Sequence, residues 1–455
     1  MLAALGYWCS GRTTAEGAAR HRTVGEARFP TEGSAAHVEA DREWARGSTH
    51  AVRWDPEALP RGSTVELQES VDGATWTMVE TRLWFEGRAR WTVPDSGPAV
   101  WWLRIAPVGS PPLPPMMVRA SPSQRRSYAW TRLLEDTPFA ARDGAGALVY
   151  RDRMWLLGGW NPLLPQVYPR RCSNDVWSST DGTSWRMEKP NTFGTPAFDA
   201  TRDWEGRHTA GYAVHDDRMW LVGGDVLQGH YQTDAWSSAD GRTWVRELED
   251  VGVPKRVLHY TVGFDAKLWI MGGQTMPDAA SEPGPTELFA DTWNLEGRTW
   301  TRVTAAPGWS PRGAIVGAAV LDHKMWLVGG GTYDTRDKPA RAYHNDVWST
   351  SDGRSWTRAD DESTPWEARE YSNVVVFDDR IFVLGGYNER GNLNDVWFTR
   401  DGKNWYEVPD TPWVSRHAAS TWAFRDSLYL AAGNAMVGKT MHSDVWRLDV
   451  VRDAR

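Results

Sequence analysis

From Leu156 onward the apolar positions fall in short runs rather than along helical faces. A typical run, Arg218-Met219-Trp220-Leu221-Val222, closes on a glycine pair, and after a polar loop comes an Asp-x-Trp run. The pairs are Gly158-Gly159, Gly223-Gly224, Gly272-Gly273, Gly329-Gly330 and Gly385-Gly386, with Ala432-Gly433 as a degenerate sixth. Their partners are Asp175/Trp177, Asp234/Trp236, Asp291/Trp293, Asp346/Trp348, Asp395/Trp397 and Asp444/Trp446. First-glycine spacings of 65, 49, 57 and 56 residues differ through loop length alone. Self-similarity at a period of about 50 residues, in strand-sized runs, predicts an all-β propeller of four-stranded blades.

Each repeat reads as four strands. An arginine precedes an inner strand such as 209–214, and an Asp-containing turn leads to the second strand, 218–224. A variable loop gives the third strand, 233–238, and an Asp-Gly hairpin the fourth, beginning at Trp244. Asp-Gly recurs at Asp181-Gly182, Asp240-Gly241, Asp352-Gly353 and Asp401-Gly402, with Glu296-Gly297 as a variant. It is expected to be a type I′ turn, with both residues left-handed. The sixth Asp-x-Trp has no hairpin after it, whereas Tyr128-Ala129-Trp130-Thr131-Arg132 matches a fourth strand. The expectation is a six-bladed propeller over 128–455, closed by residues 128–134, with no open sheet edge between its ends.

These strand pairs, ending in aromatic-x-x-Gly-Gly and continuing to a downstream Trp, resemble the kelch-repeat family of bacterial type over roughly 128–450. The string Ser179-Thr180-Asp181-Gly182-Thr183-Ser184-Trp185 looks like a sialidase Asp-box, but its Asp and Gly are adjacent. The same string at Ser70-Val71-Asp72-Gly73-Ala74-Thr75-Trp76 lies outside the propeller, which favours hairpin chemistry over catalysis. Galactose oxidase, a kelch enzyme, binds copper through Tyr, His and a Cys-Tyr crosslink. Here Cys172 lies in a loop without a matching set, so no metal or cofactor is expected.

The remainder of the chain reads differently. Residues 1–40 are expected to be disordered, or the remnant of a signal or anchor, with Cys9 a weak candidate for lipidation and a start upstream of Met1 one explanation. Short alternating strands at 51–54, 64–70, 75–79, 88–93 and 100–105 mark a small β-sandwich over 41–108. It resembles a fibronectin type III domain, through Trp54 and the late strand 101–105. The proline-rich stretch 109–127 reads as a linker.

The most suggestive constellation is an arginine at one place in every repeat. Arg142, Arg207, Arg256, Arg369 and Arg416 lie 16 residues before their glycine pair or Ala432, and Arg312 lies 17 before. Three residues upstream stand Phe139, Trp204, Val253, Trp309, Trp366 and Trp413, while His208 and His417 directly follow two of the arginines. In the bland reading Asp143, Glu205, Glu367 and Glu370 neutralise the arginines, which tie blades together. In the sharper reading the arginines form an anion site at the channel mouth, with Trp204, Trp309, Trp366 and Trp413 adding flat contact. Kelch relatives bind acidic peptides through arginines on this face.

Charge sharpens that picture. A net charge of −8 argues against a nucleic-acid partner, and no apolar stretch is long enough to span a membrane. The resulting expectation is a non-catalytic interaction protein, extracytoplasmic, binding an acidic protein segment or glycan on its arginine-bearing face. The alternative is a sugar-modifying enzyme resembling the sialic acid mutarotases, with Glu370 or Glu205 as acid–base group. Long loops at 160–174 and 186–206, with Tyr168, Phe193 and Phe198, are expected to wall the mouth or to form a lid over it.

Overall fold

The computed structural model describes residues 42–166, 170–435 and 441–451. Cys9, Tyr168 and the segment 1–40 lie outside the described residues. The chain is almost wholly β, and no helix among the described residues is long and apolar enough to cross a membrane.

Seven strands build the N-terminal unit: β1 Arg42–Ala45, β2 Thr49–Arg53, β3 Thr64–Ser70, β4 Thr77–Leu83, β5 Arg88–Thr92, β6 Val100–Pro107 and β7 Met116–Ser121. One sheet has the order β1-β7-β6-β3-β4, and β2 pairs with β5. In β6 every second residue is buried, as a strand with one covered face requires. Between the layers lies a core of Trp44, Trp54, Trp91, Trp101, Leu103 and Ile105. Residues 109–127 are therefore not a free linker, because β7 falls among them and pairs with both β6 and β1. Five prolines hid that strand, but they flank it instead of interrupting it.

This unit is docked on the rest of the molecule. Thr49 pairs with Trp405, and Ala51 N donates to Ser363 O at 2.7 Å. His50 is buried in the seam, stacked on Trp44 at 3.9 Å and bonded to Ser48 and Ser363 hydroxyls at 2.7 and 2.9 Å.

Beyond β8, Tyr128–Leu134, the strands fall in sets of four, each running from an inner strand outward, and in two neighbouring sets the inner strands Ile315–Leu321 and Ser372–Phe377 also pair with each other in parallel. The inner strands are Gly146–Tyr150, Gly211–His215, Tyr260–Phe264, Ile315–Leu321, Ser372–Phe377 and Ser420–Phe424. The strand Val445–Val450 takes β8 as its outer neighbour, with Leu448 opposite Trp130. Such an arrangement is consistent with a kelch-type β-propeller.

Turn chemistry differs from expectation. Left-handed φ at both central residues occurs in the first hairpin of five repeats, at Arg151-Asp152, Asp216-Asp217, Asp265-Ala266, Asp322-His323 and Asp378-Asp379. In the Asp-Gly loop only the glycine is left-handed, Gly182 at φ 78°. A side-chain clasp closes that wider loop instead: Asp181 Oδ1 accepts from the Thr183 and Ser184 N–H groups at 2.7 Å, and Ser179 Oγ accepts from Gly182 N at 2.9 Å. Ser70, Asp72 and Gly73 form the same clasp in the N-terminal unit, so the string is a local hairpin device independent of the fold around it.

Candidate functional site

Each repeat contains the same triad, built around a buried arginine. The arginine before the inner strand reaches the aspartate of Asp-x-Trp with both terminal nitrogens, as Arg142–Asp175, Arg207–Asp234, Arg256–Asp291, Arg312–Asp346, Arg369–Asp395 and Arg416–Asp444. In Arg369–Asp395 the two bonds are 2.6 and 2.8 Å. The tryptophan two residues on gives its Nε1–H to the same carboxylate, from 2.6 Å at Trp236 to 2.8 Å at Trp348. Arginine Nη1 also donates to the carbonyl of the first glycine, or of Ala432. Bidentate, charge-assisted bonds of this kind are among the strongest a protein makes. Burial alone would raise the Asp175, Asp234, Asp395 and Asp444 carboxyls, but the guanidinium outweighs it and holds them below their ordinary value.

The backbone joins neighbouring repeats at the same point. At five of the six pairs the second glycine gives its N–H to the carbonyl of the next repeat's arginine, among them Gly159 to Arg207 at 3.0 Å, Gly273 to Arg312 at 2.7 Å, and Gly433 round to Arg142 at 2.8 Å. A side chain at Gly272, where φ is 60°, would place its Cβ 2.1 Å from the Arg312 carbonyl, so glycine is required by close approach.

No ring arginine is more than 6 % exposed, and all are saturated by their own repeat. The anion site expected of them is without a free guanidinium to form it. The expected partners also differ. Asp143 bonds Asn434 at 3.0 Å, Glu205 bonds His230 at 2.9 Å, Glu367 bonds Arg390 at 2.7 Å, and Glu370 bonds Arg341 at 2.5 Å. Residues near in sequence face other ways, and the true partner lies 26 to 35 positions downstream.

The aromatic ring is equally internal. Trp204, Trp309, Trp366 and Trp413 are buried and meet the outer-strand tryptophans Trp244, Trp356, Trp405 and Trp130 at 5.4–6.0 Å. They pack within the sheets and offer no flat surface to a ligand.

The inner strands begin at six left-handed residues, Gly144, Thr209, Leu258, Ala314, Tyr371 and Ala418. Bonds such as Tyr371 N to Ala314 O (2.6 Å) and Ala418 N to Tyr371 O (2.9 Å) link them. Below them lies a channel of about 630 Å³, lined by residues such as Ala147, Val149, Val214, Val316 and Ala318, with no Asp, Glu, Lys or Arg among its lining residues. Above them Val226, Tyr231, Met276, Ala280 and Tyr333, from loops between second and third strands, form an apolar cover.

Polar side chains gather beside this cover. His208 Nδ1 lies 2.5 Å from Asp225 and its Nε2 3.2 Å from Asp143. Burial lowers its basicity, but the two carboxylates outweigh that and hold it up to about 10. His417 meets Asn392 at 2.8 Å, and burial takes it down to about 4. One histidine is thus a cation between two acids, and the other is neutral.

Next to them is a group that the repeats do not explain. Arg341 stacks on Tyr333 at 3.8 Å and lies 5.6 Å from the Tyr387 ring. Its nitrogens reach Asp334 at 2.6 Å and Glu370 at 2.5 Å. Burial pushes Glu370 up to about 7 in spite of that arginine, and its Oε2 has no hydrogen-bond partner. Arg341 retains 21 % exposure, with Tyr343 and Tyr387 also partly exposed beside it. Arg341, Tyr343 and Tyr387 were missed by sequence reasoning. Their one visible signal is the unusual Tyr and Arg content of loops whose lengths vary.

Residues 258–454 match the KLHDC2/KLHL20/DRC7 Kelch-repeats domain. The chain is similar to kelch-repeat proteins. The match supports the kelch-repeat family and, with it, a β-propeller interaction module, while a comparison with curated proteins returns no match. Among the described residues of these kelch-type repeats, no group of His, Cys, Asp or Glu is placed to hold a metal ion. The two long loops touch, Gln166 Nε2 donating to Phe193 O at 3.1 Å, and within the second loop Phe193 meets Phe198 at 5.2 Å.

Proposed function

We propose that the protein is a six-bladed kelch propeller, closed by residues 128–134 and carrying a docked N-terminal sandwich, that binds an acidic protein segment on its loop-bearing face. The carrying observation is the partly exposed Arg341 between Tyr333 and Tyr387, since tyrosine and arginine dominate the energetics of binding surfaces. Exposed cations rim the same loops, among them Arg170, Lys255, Arg336, Lys338 and Arg390. The visible partners of Lys255 and Arg336 are themselves surface carboxylates, so an incoming acidic group exchanges one weak, screened pair for another.

A peptide array spanning acidic and neutral sequences tests the reading. Acidic peptides bind the native chain and weaken as salt rises. Arg341→Ala reduces that binding about tenfold, roughly 1.4 kcal/mol, without lowering the melting temperature by more than a few degrees. Salt-insensitive binding, or none on peptide and carboxylated-glycan arrays alike, overturns it. A second reading, the sugar-modifying enzyme, draws on Glu370, whose raised carboxyl and unpartnered Oε2 suit proton transfer. Faster anomer exchange of an acidic sugar with native protein than with Glu370→Gln would favour it.

A further inference from the structure

The seam between the N-terminal unit and the repeats gathers four arginines, Arg53, Arg88, Arg90 and Arg390. In β5 the alternation turns Ala89 and Trp91 into the core of the unit, and Arg88 and Arg90 towards the repeats. Arg90 lies over Trp397 at 5.3 Å, and Arg88 stands 3.5 Å from Glu367. Among the described residues neither guanidinium has a hydrogen-bond acceptor. Arg53 is directly opposite Arg88 in the β2–β5 ladder and gives its Nε–H to Glu362 O at 3.0 Å. Like charges facing each other across a ladder are unfavourable.

The carboxylates nearby are committed elsewhere. Glu367 accepts from Arg390 at 2.7 Å and from Asn388 at 3.0 Å. Glu362 pairs with Arg358 at 3.0 Å, and Asp395 belongs to Arg369. Glu80 pairs with Arg82 and takes the Arg90 backbone N–H at 3.0 Å. Glu407 feels the charge of Arg90 but makes no ion pair with it. Burial, and after it the charges of Arg53, Arg90 and Arg390, take Arg88 from its ordinary 12.5 down to about 10, even with Glu367 beside it. The seam is short of negative charge.

We propose that Arg88, with Arg53 and Arg390 around it, forms a subsite for a phosphate monoester on the acidic segment bound by the loop-bearing face; the protein source of the phosphate rests on that reading. A phosphate monoester brings nearly two negative charges and three acceptor oxygens, and arginine grips such oxygens in pairs. A single carboxylate brings one charge, which Glu367 already divides between Arg88 and Arg390. The subsite is within reach of solvent, since the Arg88 side chain is 29 % exposed and that of Arg390 75 %. A hairpin joins it to the loop cluster: strands Tyr387–Asn388 and Gly391–Asn392 place Arg390 in their turn and Tyr387 5.6 Å from Arg341. A segment lying along this hairpin meets Arg341 at one end and the seam at the other.

Inorganic phosphate is the first probe, titrated into the full chain by calorimetry at fixed ionic strength. One ion is expected to bind each native chain, about tenfold more weakly in Arg88→Gln, which removes charge-assisted donors. Binding is expected to tighten in Glu367→Gln, which removes the competing carboxylate. Residues that only fasten the two units together would not give opposite shifts. The second probe is an acidic peptide with and without one phosphoserine. The phosphorylated form is expected to bind the native chain about tenfold more tightly. That gain vanishes in Arg88→Gln but persists in Arg341→Ala, where both peptides weaken. If neither peptide binds, the reading of the loop-bearing face fails, while phosphate binding lost in Arg88→Gln still upholds the subsite. A native chain that binds no phosphate overturns the proposal. So does an affinity unchanged in Arg88→Gln, or equal measurable affinity of the two peptides for the native chain.

Discussion

Two regions of this molecule make an arginine–carboxylate contact and use it for opposite ends. In the repeats the arginine is buried, the pair is bidentate and closed by a tryptophan N–H, and it recurs with the same atoms six times. In the loop cluster Arg341 bridges two acids on different segments, keeps a fifth of its surface in solvent and stacks on tyrosines instead. The repeated contact has nothing left to offer a partner. The single one does, because its carboxylate Glu370 is poorly stabilised as an anion and Tyr343 and Tyr387 beside it are partly exposed. Repetition here marks what holds the ring, and departure from it marks where to look for function.

The comparison breaks most forcefully at the buried pairs. Arg369→Ala leaves the Asp395 carboxylate without its cation inside the repeat, and loss of one partner of a buried pair costs about 3–5 kcal/mol. Chemical denaturation is expected to show that loss. It is also expected to deepen as pH rises through the carboxylate range, because Asp395 without Arg369 binds its proton more tightly in the fold than in the unfolded chain. Arg341→Ala, which takes an arginine from two carboxylates instead of one, is expected to lose far less stability. Equal losses would remove the distinction.

Much of the first region was legible in the sequence, and almost none of the second. The glycine pairs, the Asp-x-Trp strands and the arginine spacing are strict because each residue occupies one atom-scale position in every repeat. The bond joining arginine to aspartate was not legible, since a loop of variable length separates them, while Asp143 and Glu370 lie adjacent and look like partners. Strand β7 was hidden by prolines placed at its flanks, and the Asp-Gly turn type by a serine-and-aspartate clasp that does the work of a second left-handed residue. Arg341 had no repeat to announce it, and its neighbours converge from different blades.

A smaller effect sharpens the contrast through pH. Glu370 has an ordinary value of 4.5 and is raised by burial to about 7 in the fold. A raised folded value means the native state holds the proton more tightly, so its contribution is full below 4.5 and lost as pH rises to about 7. At about 1.4 kcal/mol per unit, that is roughly 3 kcal/mol across the window. His208 adds stability that is lost between its ordinary 6.5 and about 10, and His417 adds stability that is lost as pH falls from 6.5 towards 4. Subtracting the Glu370→Gln stability profile from the native one isolates the first term. A flat difference between pH 4.5 and 7 would show that Glu370 titrates normally.

The least expected effect tests whether the tryptophan is a member of the triad or merely its neighbour. Trp293 is only partly buried and donates Nε1–H to Asp291 Oδ2 at 2.8 Å. Trp293→Phe keeps an aromatic ring beneath Arg302 and removes that donor, while Arg256 still grips the carboxylate at 2.6 and 3.1 Å. A hydrogen bond to a charged group contributes about 1.5–3 kcal/mol, and the low end applies because the carboxylate remains paired. The same change made in an Arg256→Ala background should cost more, since the tryptophan is then the main remaining donor to a buried anion. A double-mutant cycle reads that coupling. Additive losses would mean that arginine and tryptophan act on Asp291 independently, and the triad would reduce to an ion pair with a bystander.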